Sequence, residues 1–296
     1  MLAAVHFKLT KNNEIKRGYK KMAMLGKAVR MSRLVNPKSD KMMAITVDHS
    51  ISRGIMHGLI PIQETIDKIV AGGPDAITVT KGIAELCLPK HAGKVSILLK
   101  CSSYSPVQPT YDVCFGDAEE GVRMGADAVS VGAMMLGVHQ AEQLRDIGLM
   151  SKQCMAAGMP LIGHMYPKGE SVSVEDRTKW ENIAYCVRAG AELGVDIIKT
   201  TYTGDPKTME KVVKSCPARV VIQGGDIGNT AEEYIKMTRE ALDVGVGGVT
   251  FGRFVWEYKD ITSLVKTLRS VIHENFSVKE AVEMLNDLES DAKKAK

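Results

Sequence analysis

Short apolar runs recur along the whole chain, and each is followed by a polar loop or by a segment with helical periodicity. Eight of these runs have the length and the continuous apolar character of parallel strands that are covered on both faces. They begin near residues 42, 75, 95, 127, 160, 196, 219 and 248. The periodic segments predict helices over residues 63–71, 82–88, 117–124, 139–157, 178–193, 206–215, 230–244, 260–274 and 278–289.

Three of the strands are preceded by a glycine and begin at an aspartate, in the segments that start at Gly72, Gly125 and Gly194. A glycine suits the left-handed residue that ends a helix. Eight such strand-helix units over roughly 250 residues predict an α/β fold of the (β/α)8 TIM-barrel type. A doubly wound open sheet is the competing fold, but it usually has fewer strands and a GxGxxG first turn, which no strand end here contains.

The predicted organisation is a single barrel domain over residues 41–290, preceded by a short N-terminal extension at 1–40 and followed by a charged tail at 291–296. A net charge of +4 with scattered basic residues does not indicate a nucleic-acid partner. The six cysteines lie singly, which argues against a disulfide framework or a metal cage. With no apolar run of membrane length and no signal-peptide pattern, we expect a cytoplasmic protein.

Polar residues follow the predicted strands, and in a TIM barrel the chemistry lies where strands end and loops begin. In strand order these residues are Asp48-His49, Lys81, Lys100, Gly132, Tyr166, Lys199, Gly224-Gly225 and Gly252-Arg253. The two glycine turns follow strands seven and eight, the usual position of a phosphate site in this fold. Glycine lets backbone N–H groups approach an anion, and Arg253 can add a charged contact, although the turns can also serve only to reverse the chain.

Lys199 is a candidate nucleophile, because it closes the buried run that contains Ile197 and Ile198. Burial disfavours the ammonium form and lowers the lysine pKa, and the neutral amine can attack a ketone to give a Schiff base. The simpler alternative is that Lys199 reaches solvent or pairs with Asp205. Lys81 and Lys100 are rival nucleophiles, and Lys100 can instead lower the pKa of Lys199 by repulsion.

Schiff-base chemistry also needs a group that carries protons to and from the carbinolamine. Tyr166 and Asp48 are the candidates at the neighbouring strand ends. We expect a cation beside Tyr166 to favour its phenolate, so that it acts as a base.

With these residues at the strand ends, the sequence resembles the archaeal-type class I aldolases, a family of DeoC/LacD-like barrels. Within that family it is most similar to 2-amino-3,7-dideoxy-D-threo-hept-6-ulosonate (ADH) synthases and class I fructose-bisphosphate aldolases. The resemblance runs from about residue 30 to 288, and its most specific element is the string from Lys199 to Asp205. The other matching segments are 47–49, 58–59, 165–167, 196–198, 215–217, 223–225, 251–253 and 271–275.

The resemblance implies that Lys199 forms the Schiff base, that Tyr166 shuttles protons and that Asp48 assists at the carbinolamine. It also implies that His49 lines the site and that a substrate phosphate is held by Gly224, Gly225, Gly252 and Arg253. No metal or cofactor is expected. The expected partners are a phosphorylated ketose or aldehyde and further copies of the chain, since members of the family often form decamers built of pentamers.

The sequence departs from the family pattern at Ser50, Ile55, Lys168 and Phe254. Because the lysine, tyrosine and aspartate are intact, these departures affect the expected substrate more than the expected chemistry. Three hypotheses follow: an aldolase or transaldolase that acts on a phosphorylated ketose, a thiolase that transfers an acyl group to coenzyme A on the same barrel, and a sugar-phosphate-binding protein without turnover.

Overall fold

The eight apolar runs form a closed parallel barrel in the computed structural model, which describes residues 25–225 and 230–294. Strand β1 pairs with the last strand as well as with the second, so the sheet has no free edge. The predicted TIM barrel, a single domain, is confirmed. The barrel strands are β1 (Met42–Thr46), β2 (Ala76–Val79), β3 (Ser96–Lys100), β6 (Ala128–Met135), β7 (Leu161–Pro167), β8 (Ile197–Thr200), β9 (Arg219–Gln223) and β10 (Gly248–Phe251).

A helix lies at each of the nine predicted segments and begins and ends within a few residues of the predicted positions, except that the last one continues to Lys294 instead of ending at 289. Left-handed glycines terminate several of them, including Gly73 and Gly158. The helices are α1 (Leu25–Leu34), α2 (Ser50–Arg53), α3 (Ile62–Gly72), α4 (Lys81–Cys87), α5 (Ala118–Arg123), α6 (Gln140–Ala157), α7 (Trp180–Glu192), α8 (Pro206–Ser215), α9 (Ala231–Asp243), α10 (Arg253–Trp256), α11 (Ile261–His273) and α12 (Val278–Lys294).

The interior of the barrel changes from apolar to polar along the strands. Side chains alternate between the two faces of a strand, so residues two apart share a face. The lower part of the interior is one apolar cluster, to which Ala44, Leu98, Ile162 and Ile197 contribute. Two residues further along the same four strands lie, respectively, Thr46, Lys100, His164 and Lys199. All four of these polar residues are buried. The barrel therefore has an apolar base and a buried polar layer at its carboxyl end.

Helix α1 closes the amino-terminal end of the barrel. Its Leu34 is fully buried in the apolar cluster at the base. Lys27 pairs with Asp196 at 2.8 Å and Arg33 with Asp127 at 3.0 Å, and both aspartates lie just before barrel strands. This part of the predicted N-terminal extension thus packs on the face opposite the strand ends that carry the candidate chemistry. Residues 1–24 lie outside the described part of the chain.

The long loop after the third barrel strand contains a small antiparallel hairpin of β4 (Ser102–Ser103) and β5 (Val113–Cys114). The hairpin lies at the carboxyl end of the barrel, and it was not predicted because its strands are only two residues long. Across the described residues, the helices lack the combination of length and apolar character that a membrane crossing requires.

Candidate active site

A polar cavity opens at the carboxyl ends of the strands, and all eight predicted site residues line it. One half, here called the glycine half, contains Gly224, Gly225, Gly252 and Arg253. The other half, here called the hairpin half, contains Asp48, Tyr166 and residues of the β4–β5 hairpin. Lys199 and His49 line both halves.

Lys199 lies near the end of β8 with only 6% of its surface exposed. Its pKa is lowered to about 8, mainly by burial; the nearby cations of Lys100, Lys168 and Arg53 act in the same direction and Asp48 in the opposite one. The alternative that Lys199 reaches solvent is therefore wrong. Asp205 serves instead as the N-cap of α8, where its carboxylate accepts the backbone N–H of Thr208 at 2.9 Å.

Tyr166 lies one strand away from Lys199, near the end of β7, and is 6% exposed. Burial raises its pKa well above the usual value, and the carboxylates of Asp48 and Asp112 and the Tyr104 hydroxyl add to this effect. A cation does lie beside it, since the Lys168 ammonium is 4.8 Å from the centre of its ring. The expectation of a favoured phenolate was wrong, because burial and the neighbouring acids outweigh that cation. In the free protein the phenol holds its proton.

Asp48 and His49 follow β1, with 3.6 Å between the Asp48 carboxylate and His49 Nδ1. Burial lowers the pKa of His49 to about 4, so the imidazole is neutral near pH 7. Its ring packs edge-on against Trp256, with 5.4 Å between ring centres. A side chain on Gly252 would meet His49 Cε1 at 2.5 Å. A glycine at 252, just after β10, therefore leaves the space that the imidazole occupies.

The glycine half is shaped by the loops after β9 and β10. Gly225 has φ of +59°, a conformation that glycine adopts without strain. Its carbonyl oxygen accepts the Tyr234 hydroxyl at 3.1 Å. The Tyr234 ring stacks on Phe254 with 3.6 Å between centres and 4° between planes. Phe254, one of the departures from the family pattern, therefore forms an aromatic wall beside Arg253.

The two rival lysines lie in different environments. The Lys81 side chain is 54% exposed and pairs with Glu120 at 3.0 Å, and it does not line the cavity. Lys100 is buried in the hairpin half, where its ammonium donates to the Ser102 hydroxyl at 2.9 Å. The expectation that Lys100 lowers the pKa of Lys199 agrees with the causes of that shift.

Several residues that line the cavity were not proposed from the sequence as site residues. Among them are Thr46, Ser52, Ser103, Tyr104, Asp112, Gln223 and Tyr234. Gln223 and Thr46 occupy inward-facing positions of barrel strands, so strand alternation would have found them. Asp112 had no such signal, because its position depends on the hairpin. Within residues 25–225 and 230–294, no group of three or more His, Cys, Asp or Glu side chains is arranged to hold a metal ion.

A sequence profile described as "DeoC/LacD family aldolase" matches residues 15–258. This chain belongs to the DeoC/LacD family of aldolases. The 2-amino-3,7-dideoxy-D-threo-hept-6-ulosonate synthase 1 of Archaeoglobus fulgidus is 32% identical over 265 residues, which are 88% of this chain and 96% of the relative. The 2-amino-4,5-dihydroxy-6-oxo-7-(phosphonooxy)heptanoate synthase of Streptomyces griseus is 26% identical over 255 residues, or 86% of this chain and 92% of the relative.

Among solved structures, this DeoC/LacD-family aldolase is similar to an archaeal fructose-1,6-bisphosphate aldolase with its catalytic lysine covalently bound to the carbinolamine intermediate of the substrate. The two chains are 25% identical and superpose with a TM-score of 0.76, over 83% of this chain and 99% of the other. The chain is thus an enzyme of the aldolase type, and its relatives include proteins that use a Schiff base.

Proposed function

We propose that this chain is a Schiff-base aldolase or transaldolase that makes or breaks a carbon–carbon bond in a phosphorylated ketose. The observation that carries the proposal is the buried amine of Lys199, whose pKa is lowered to about 8, in one cavity with Tyr166 and Asp48. The structural relative with a carbinolamine on its catalytic lysine supports the same chemistry.

In this proposal the neutral Lys199 amine adds to the ketone carbon, and a proton moves from the nitrogen to the oxygen to give the carbinolamine. The protonated phenol of Tyr166 then gives its proton to the departing hydroxyl, which leaves as water, and Asp48 assists this transfer. The resulting iminium carries a positive charge that favours the Tyr166 phenolate. The raised pKa of the free phenol is consistent with this order, because Tyr166 begins the cycle as an acid.

Bond cleavage follows from the iminium group, which can accept an electron pair. The bond that breaks joins the carbon next to the iminium carbon to a carbon that carries a hydroxyl. The Tyr166 phenolate removes the proton from this hydroxyl, and the hydroxyl-bearing fragment departs as an aldehyde. The bonding pair remains on the other fragment, which is then an enamine of Lys199. Proton return to the enamine carbon and addition of water release the ketone and restore the amine. The reverse sequence forms the bond.

The phosphate of the ketose is assigned to the glycine half. Gly224, Gly225 and Gly252 leave backbone close to the cavity, and Arg253 adds a guanidinium that suits a phosphate. The product named for the Streptomyces griseus relative carries its phosphonooxy group on the carbon next to the ketone. The glycine half adjoins Lys199, which suits a phosphate on the carbon next to the reacting ketone.

Exchange of carbon-bound hydrogen tests the proposal without knowledge of the aldehyde partner. Dihydroxyacetone phosphate is incubated with the enzyme in D2O, and loss of the proton signal at its hydroxymethyl carbon is followed by NMR. The wild type should exchange this proton through the enamine, and Lys199→Ala should not. Tyr166→Phe should exchange it about 100-fold to 10,000-fold more slowly, the usual contribution of a positioned acid or base.

Lys81→Met is the matched control, since it removes a strand-end lysine that lies outside the cavity, and it should exchange at the wild-type rate. The proposal would be overturned if the wild type exchanged the carbon-bound hydrogen of none of the phosphorylated ketones tested. Transfer of an acyl group to coenzyme A without such exchange would favour the thiolase hypothesis in its place.

A further inference from the structure

Tyr166 must lose its proton during the proposed cycle, although its surroundings oppose this. Burial raises its pKa well above the usual value, and the carboxylates of Asp48 and Asp112 act in the same direction. The iminium that forms on Lys199 supplies one positive charge that favours the phenolate. A second cation against the ring favours it further, and Lys168, which the mechanism described above does not use, supplies one.

The position of Lys168 is set by a tight turn at the end of β7. Its backbone N–H donates to the carbonyl oxygen of Tyr166 at 2.9 Å, so residues 166–168 form a γ-turn around Pro167. The fixed φ of proline suits the centre of such a turn. Tyr166 and Lys168 are two residues apart and therefore share one face of the chain. The Lys168 ammonium lies 4.8 Å from the centre of the Tyr166 ring, within the range of a cation–π contact.

The backbone just beyond this turn is also fixed. The N–H of Gly169 donates to the carbonyl oxygen of Met135 on β6 at 2.8 Å. A side chain on Gly169 would lie 2.2 Å from the backbone nitrogen of Gly137, so the glycine allows the two segments to approach this closely. The residue that carries the cation is thus anchored on both sides, by the turn before it and by β6 after it.

The environment of Lys168 suits an anionic ring as its partner. Its side chain is half-buried and lines both halves of the cavity. Burial, Arg53 and Arg177 lower its pKa to about 8, so the amine is mostly protonated at pH 7. The face of an aromatic ring attracts a cation, and the attraction increases when the ring gains a negative charge. The Lys168 ammonium therefore stabilises the Tyr166 phenolate more than the neutral phenol.

Other titratable or charged groups of the cavity surround Lys168. In chain order they are Asp48 and His49 after β1, Lys100 on β3, Tyr104 and Asp112 in the loop that follows, His164 on β7, Lys199 on β8, Tyr234 on α9 and Arg253 on α10. Burial lowers the pKa of both imidazoles, so neither carries a charge near pH 7. Lys199, like Lys168, has a pKa lowered to about 8. The two amines are needed in opposite states, Lys199 neutral for attack and Lys168 charged beside the phenolate.

We propose that Lys168 is a positioning residue that holds the Tyr166 ring and stabilises its phenolate, through the ammonium group on the face of the ring, in the steps that follow iminium formation. Lys168 thereby promotes the removal of protons by Tyr166 and not the attack of Lys199 on the ketone. This inference rests on the proposed aldolase function and deepens it.

The test divides the rate of hydrogen exchange by the amount of adduct. Dihydroxyacetone phosphate is incubated with each variant in D2O, exchange at its hydroxymethyl carbon is followed by NMR, and the Schiff base on Lys199 is quantified in parallel by borohydride trapping. The division removes the effect of Lys168 on the pKa of Lys199, which alters how much adduct forms. Near pH 7, Lys168→Met should lower exchange per adduct by about tenfold or more, and Lys168→Arg, which keeps a cation, should stay near wild type.

The pH dependence and a double variant separate this role from packing. Near pH 10 the Lys168 amine is neutral, so wild type should fall to the level of Lys168→Met, whereas Lys168→Arg should keep its value. In a Tyr166→Phe background, Lys168→Met should cause no further loss, because no phenolate can form. Lys211→Met is the matched control, since the Lys211 ammonium lies 4.8 Å from the centre of the Trp180 ring, outside the cavity, and it should exchange like wild type.

Trapping on Lys199 also shows that each variant is folded and forms the Schiff base. With trapping intact, unchanged exchange per adduct in Lys168→Met would overturn this inference alone. An equal loss in Lys168→Arg, a further loss in the Tyr166→Phe background, or a wild-type value that does not fall towards pH 10 would do the same. Failure of the wild type to trap the ketone would overturn it together with the proposed function.

Discussion

The lowered pKa of Lys199 makes a quantitative prediction about the pH dependence of Schiff-base formation. With a pKa of about 8, roughly one-tenth of the lysine is neutral at pH 7, whereas an ordinary value of 10.5 leaves roughly one part in 3,000 neutral. The site thus increases the reactive amine about 300-fold at pH 7. The rate should rise tenfold per pH unit below pH 8 and become level above it, because only the neutral amine attacks.

Lys100→Met perturbs this pKa directly. Burial is the largest cause of the shift and Lys100 is one of several smaller causes, so we expect the pKa of Lys199 to rise on the order of one unit or less. Each full unit would reduce the rate at pH 7 about tenfold without changing the plateau at high pH. Lys81→Met is the control of equal charge change, and its profile should match the wild type.

The assay is the initial rate of adduct formation with dihydroxyacetone phosphate, measured by borohydride quenching at successive times between pH 6 and 10. A wild-type rate that continues to rise up to about pH 10 would refute the reasoning, because it would show an ordinary lysine. A Lys100→Met profile displaced towards lower pH would refute the part assigned to charge repulsion.

Three further predictions concern stability and binding. Lys199 keeps its proton up to about pH 10.5 in the unfolded chain but only up to about pH 8 in the folded protein, so the folded state gains stability as the pH rises from about 8 to 10.5. At pH 7 the buried lysine therefore destabilises the fold, and Lys199→Met should be up to about 3 kcal/mol more stable than wild type in urea unfolding. A less stable variant would contradict this. Arg253→Ala should raise KM for dihydroxyacetone phosphate much more than for dihydroxyacetone, and equal effects on both would exclude a phosphate contact. Gly132→Ala should cost about 1–3 kcal/mol in the same unfolding assay because its new methyl group overlaps the Asp112 carboxylate, and the additional change Asp112→Ala should recover part of that loss.

The strands and the strand-end residues were predictable because they depend on local pattern. Each barrel strand is a continuous apolar run, and eight such runs indicate a TIM barrel. In that fold the active site lies at the carboxyl ends of the strands. The sequence alone therefore predicts that Lys199, Tyr166 and the glycine turns lie on one rim, and the structure puts all of them in one cavity.

Features that depend on contacts between distant segments were not predictable. The protonation of Tyr166 is set by the sum of burial and of carboxylates from two other loops, and the sequence shows neither. Asp112 reaches the cavity only because Gly132, on the following barrel strand, leaves room for it. The contacts of α1 with the base of the barrel join residues that are far apart in sequence, such as the Lys27–Asp196 ion pair and Leu34 in the apolar cluster.

Mass spectrometry after borohydride reduction in the presence of dihydroxyacetone phosphate tests the central claim most directly. The account predicts a covalent adduct on the peptide that contains Lys199, and no adduct in Lys199→Ala. An adduct on Lys100 or Lys81 would contradict the assignment of the nucleophile while keeping the reaction class. No adduct with this or any other phosphorylated ketone would contradict the Schiff-base mechanism itself.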